Sequence, residues 1–76
     1  MPRICPTDWK TLIRIFERFG CKVVRKHGDH WILDHPDARR PVIIPAYDEI
    51  PITIIRTNMR TAGMTRDQYF RILEEI

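Results

Sequence analysis

Between Gly20 and Pro45 the apolar residues of this chain change from a helical period to a period of two, and after Pro51 they change back. That switch limits the fold to helices packed on a small sheet. Before it, Trp9, Leu12, Ile13, Phe16 and Phe19 follow the three-four spacing of one helical face, with Lys10, Arg14, Glu17 and Arg18 opposite. Pro6-Thr7-Asp8 supplies a helix start with Thr7 or Asp8 as the cap, and Gly20 supplies the stop. Cys21 to Lys26 then predicts a first strand, His27-Gly28-Asp29 a turn, and His30 to His35 a second strand. Pro36-Asp37-Ala38 makes the next turn, and Arg40 to Ile44, closed by Pro45, a third strand of an antiparallel meander. Ile52, Ile55, Met59 and Ala62 return to the helical period, with Pro51 in the first turn and Gly63 at the end. Thr65-Arg66-Asp67-Gln68 has the form of a capping box and opens a last helix bearing Tyr69, Ile72, Leu73 and Ile76. The order is α-β-β-β-α-α: an α+β fold, one domain over residues 1–76, with a three-stranded antiparallel sheet and helices on one face.

At 76 residues, such a body has little room to enclose a cofactor, and none is expected. No apolar run reaches the ~20 residues of a membrane span. Met1 to Pro6 lacks a leader's hydrophobic core, so the expected location is the cytoplasm. Two cysteines, Cys5 and Cys21, make no disulfide framework and read as reduced thiols. The chain contains no serine and no GxxxxGK pattern, which excludes serine-hydrolase and P-loop chemistry.

The strand from His30 to His35 sets two faces against each other. Trp31 and Leu33 form the larger apolar pair and belong beneath the helices, so alternation turns His30 and Ile32 to the open side. Three histidines, His27, His30 and His35, lie close in sequence. His27 and His30 stand across a turn, His30 and His35 on opposite faces, and no CxxC or HExxH accompanies them, so no metal site is expected. An acid-base role suits His30 better, since imidazole titrates near neutral pH and Gly28 leaves room beside the strand start.

Charge is distributed unevenly around a formal net of +3. Lys22, Arg25 and Lys26 cluster in the first strand without an acid nearby, Arg56, Arg60 and Arg66 form a second group, and Arg39-Arg40 precede the third strand. Acids gather at Asp48-Glu49 and Glu74-Glu75. Such asymmetry is compatible both with solvated faces and with a phosphate-binding stripe around His30.

Gly20-Cys21-Lys22-Val23-Val24-Arg25, then Lys26-His27-Gly28-Asp29-His30-Trp31-Ile32-Leu33, His35-Pro36-Asp37, Val42-Ile43-Ile44-Pro45, and Ile54-Ile55-Arg56 through Arg60-Thr61-Ala62-Gly63-Met64-Thr65 resemble, in that order, the HicA-type toxins, or YcfA-like mRNA interferases. The likeness runs over roughly residues 7–73. It implies a fold similar to the double-stranded RNA-binding domain, with the C-terminal helix as an addition. It also implies metal-independent cleavage of mRNA, a HicB-type antitoxin as protein partner, and no DNA contact except through that antitoxin. His30 stands where the first histidine of the family's Gly-Ser-His-His motif stands, after Gly28. Asp29 replaces the motif's serine and Trp31 its second histidine. The resemblance makes His30 the expected catalytic residue; Lys22, Lys26, Arg56 and Arg60, drawn from the basic clusters, and Gly28 beside it are the residues expected to hold RNA. The competing expectations are a non-catalytic RNA-binding module and a relative that has lost activity.

Overall fold

The computed structural model describes residues 3–76; Met1 and Pro2, the start of the stretch read as lacking a leader, lie outside them. The first helix, α1 (Trp9–Phe19), is capped by Asp8 rather than Thr7. The Asp8 carboxylate accepts from the Thr11 N–H at 3.0 Å and from the Thr11 hydroxyl at 2.7 Å. The bonds from Thr11, hydroxyl first and N–H second, hold that carboxyl below its ordinary pKa. Thr7 instead pairs with Ile50, whose N–H donates to the Thr7 carbonyl at 2.8 Å and ties the N-terminal stretch to the approach of the second helix. Gly20 ends α1 at φ 114°, a left-handed conformation that L side chains rarely adopt.

Three strands follow: β1 (Lys22–His27), β2 (His30–Asp34) and β3 (Val42–Pro45), antiparallel in the order β1-β2-β3. The strand limits move slightly from the sequence reading. Cys21 lies just before β1, buried, and β1 runs on through His27, so the turn is only Gly28-Asp29. Gly28 has φ 59° and no described non-glycine residue has positive φ, which fits glycine at the first central position of a two-residue hairpin. Pro51 is the N-cap of α2 (Ile52–Ala62), not a first-turn residue, and α2 packs on β3. The last helix, α3 (Arg66–Glu75), has the complete capping box at Thr65 and Gln68 and leans on α1.

All three helices contribute to one core on one side of the sheet. Leu12, Ile13, Ile15 and Phe16 of α1, Ile55 and Met59 of α2, and Tyr69 of α3 meet Leu33, Val42 and Ile44 from the strands. Ile15 completes the buried stripe of α1, one position beyond the face that the spacing marked. Trp31 joins them at the hairpin end of the sheet, stacked on Trp9 with ring centroids 5.3 Å apart.

Candidate functional site

Cross-strand register decides which side chains share the uncovered face, because paired residues in an antiparallel ladder point the same way. On β2 the alternation places Trp31 and Leu33 among the core residues and leaves His30, Ile32 and Asp34 opposite. His30 is therefore exposed on the uncovered face of the central strand. Pairing extends that face to both neighbours. His27 lies opposite His30, Arg25 opposite Ile32, and Lys22 opposite Asp34 on β1. Pro45 lies opposite His30 and Ile43 opposite Ile32 on β3.

The β1–β2 ladder is not regular. Between the Val23–Leu33 pair and the His27–His30 pair, β1 has Val24, Arg25 and Lys26 where β2 has only Trp31 and Ile32. Val24 is the extra residue of a β-bulge and is 48% exposed. An unbroken strand would keep Lys22 and Lys26 on one face. The bulge separates them: Lys22 emerges on the open face, while Lys26 pairs with Trp31 on the helix side. There its ammonium sits 5.1 Å from the centroid of the Trp31 ring. Burying Lys22 under the helices would strip its charge of water, whereas Val23 fills that position at no such cost.

Of the residues expected to act together, Lys22 and Gly28 stay with His30, and Lys26, Arg56 and Arg60 do not. Gly28 has nothing within 4 Å of where a Cβ would stand, so the hairpin tip is open and its glycine answers to φ rather than to crowding. Lys22 on β1 stands opposite Asp34, four residues along β2 from His30, roughly 13 Å at a strand's ~3.3 Å per residue. Arg56 and Arg60 are exposed one turn apart on α2. Arg60 lines a depression of about 480 Å³ with Arg39, Arg40 and His35, beyond the far end of β2. It stands in the last turn of α2, where a cation also offsets the helix dipole.

Two residues of the uncovered face were left out of the expected site: Arg25, placed only in a basic cluster, and His27, weighed only as a metal ligand. On the uncovered face Arg25 is the nearest cation to His30, two positions away by register, and His27 is the direct cross-strand neighbour of His30. Reading the turn as two residues rather than three would have found both, because that fixes the pairing of every residue next to it. The hairpin tip itself is pinned: the Ala46 N–H donates to the Asp29 carbonyl at 2.7 Å. No side-chain hydrogen bond or ion pair engages His27, His30, Arg25 or Asp29 among the described residues.

His35 has a different occupation. Its ring stacks on Phe19 with centroids 5.1 Å apart, its Nδ1 accepts from the Asp37 N–H at 3.1 Å, and its Nε2 would lie 3.2 Å from a Cβ added at Gly20. It closes the β2–β3 turn and is a structural residue. No group of three or more metal-ligating side chains forms among the described residues.

No described helix is long and apolar enough to cross a membrane. Comparison with curated proteins finds no match. The family model described as HicA toxin of bacterial toxin-antitoxin matches residues 9–64, from the first residue of α1 to the residue after the Gly63 stop. That span contains the whole sheet, its uncovered face and the histidine hairpin, and by it the chain belongs to the HicA toxin family of bacterial toxin-antitoxin systems.

Proposed function

We propose that this toxin is a metal-independent endoribonuclease that cuts mRNA in the cytoplasm and is held silent by a HicB-type antitoxin. The observation that carries the reading is His30 on the uncovered face of the central strand, with Arg25 and Lys22 exposed on the same face. RNA supplies its own nucleophile. The 2′-hydroxyl attacks the neighbouring phosphorus, and the protein has only to move protons and steady negative charge. His30 transfers a proton, Arg25 faces the phosphate, Lys22, farther along the sheet, steadies a neighbouring one, and the open tip at Gly28 admits the sugar-phosphate backbone. Lys26, Arg56 and Arg60 hold RNA on either side of the cut rather than at it. One positioned acid-base group contributes about 10²–10⁴-fold, so the enzyme is slow.

The test is a gel. Purified protein is incubated with a long RNA in EDTA, and fragments are expected from the natural sequence and not from His30→Ala. The residue that most favours a second reading is Asp29, a carboxylate next to His30 where the family has serine. A shifted RNA band without fragments would identify a binding module. An intact, unshifted RNA beside a protein that still captures its antitoxin would identify an inactive relative.

A further inference from the structure

We propose that His27 is the second proton-transfer group of this site, acting opposite His30 across the scissile phosphate. The inference rests on the reading that the chain cuts RNA through His30. Attack by a 2′-hydroxyl requires two proton movements. A base takes the proton from the 2′-oxygen as the new O–P bond forms, and an acid gives a proton to the 5′-oxygen as the P–O5′ bond breaks. The products are a 2′,3′-cyclic phosphate and a free 5′-hydroxyl. No electron is gained or lost, and water returns the two groups to their starting protonation states. A single imidazole does not serve the attacking and the departing oxygen at once, because they lie on opposite sides of the phosphorus in an in-line displacement.

The uncovered face offers few second groups. Lys22 and Arg25 from β1 are cations suited to steadying the phosphate's negative charge, and neither is the direct cross-strand partner of His30. Asp34 on β2 is four residues from His30 and opposite Lys22, and β3 contributes only Ile43 and Pro45. Asp29 lies within the turn, its backbone pinned by Ala46. His35 is committed to Phe19 and to the Asp37 N–H.

His27 remains. It pairs with His30 across a two-residue turn, so their Cβ atoms stand about 4.5–5.5 Å apart and both rings rise from the same face. A phosphate resting on the hairpin meets one imidazole on each side. Gly28 between them carries no side chain to block it, and the tie from Ala46 to Asp29 keeps the spacing fixed. Both residues are exposed and make no side-chain hydrogen bond, so neither is held in place for packing.

The experiment compares the natural protein, His27→Gln and His30→Ala on one RNA in EDTA, with kcat, KM and the pH profile of kcat/KM measured for each and folding checked by thermal melting. For the natural protein a bell-shaped profile is expected. His27→Gln is expected to melt as the natural protein does, to lose about 10²–10⁴-fold in kcat with KM nearly unchanged, and to lose one limb of the bell. A substrate with sulfur at the 5′-bridging position needs no acid to expel its leaving group. It restores the variant if His27 is the acid and leaves it slow if His27 is the base. A His27→Gln enzyme with the natural kcat and both limbs would overturn the proposal alone, provided His30→Ala is dead. An RNA uncut by the natural protein, or cut equally by His30→Ala, would overturn this proposal and the ribonuclease reading together.

Discussion

Leu33 and Ile32 are neighbours on the same strand, yet Leu33 is fully buried and Ile32 stands on the uncovered side beside Arg25 and Ile43. One pleat separates two chemistries. Under the helices, Val23, Trp31, Leu33, Val42 and Ile44 share one apolar layer with α1 and α2. Over the open face, Lys22, Arg25, His27, His30 and Asp34 alternate with them along the same strands. The covered side carries the stability and the open side is free to carry the chemistry. A polar or charged open face costs little, because water reaches it, and substitutions there report function with little interference from folding.

That contrast breaks most visibly at its centre. Leu33→Ala is expected to destabilise the protein by about 2–5 kcal/mol, from lost transfer energy plus the cavity left in a close-packed layer. Ile32→Ala next to it is expected to cost less, about 1–2 kcal/mol, because Ile32 is only partly buried on the uncovered face and its loss leaves no enclosed cavity. Urea melts of the two variants measure the difference, and equal losses would mean that the helices do not define the buried side.

The next effect sharpens the covered side at its edge. Burial pushes the Cys21 thiol up to about 11 from 9.0, so the folded state disfavours the thiolate that the unfolded chain forms more readily. Stability is then intact below pH 9 and falls as pH rises between 9 and 11, by at most ~1.4 kcal/mol per pH unit. Denaturant melts against pH check this, with Cys21→Ala flattening the alkaline decline. At neutral pH a thiol reagent should label the exposed Cys5 at once and Cys21 only on unfolding.

The smallest effect concerns the covering layer itself. Asp8→Ala removes the cap of α1, with an expected loss of ~1 kcal/mol at neutral pH. Because the Asp8 pKa is lowered in the folded state, its contribution is present above 3.8 and fades as pH falls below that value. The natural protein and the variant should therefore converge in acid, while a constant gap down to pH 2 would show that the cap does not act through its charge.

Much of the architecture was legible because local signals carry it. Gly20 and Gly63 mark helix ends, Thr65 and Gln68 form the capping box they spell, and Trp31-Leu33 against His30-Ile32 sorts the central strand into faces. Even α3, which lies beyond the matched residues 9–64, was readable from its cap and apolar spacing, although the burial of Tyr69 against the core needed the packed structure. The candidate site was legible only in part. His30, Lys22 and Gly28 do share a face or its edge, whereas Lys26, Arg56 and Arg60 were grouped with them by charge alone. Charge in a sequence carries no direction.

The sequence by itself determined the elements, their order, the turn at Gly28 and the side on which His30 emerges, since each follows from a period or a cap within a few residues. Only the tertiary structure decided that Lys22 joins it on that side. The turn fixes the register from one end and the core fixes Val23 against Leu33 from the other. Three residues of β1 are left to face two of β2, and the strand absorbs the mismatch by bulging at Val24. That single irregularity, set by both ends of a strand at once and so invisible in either alone, sends Lys22 to the open face, away from Lys26, which the turn pairs with Trp31.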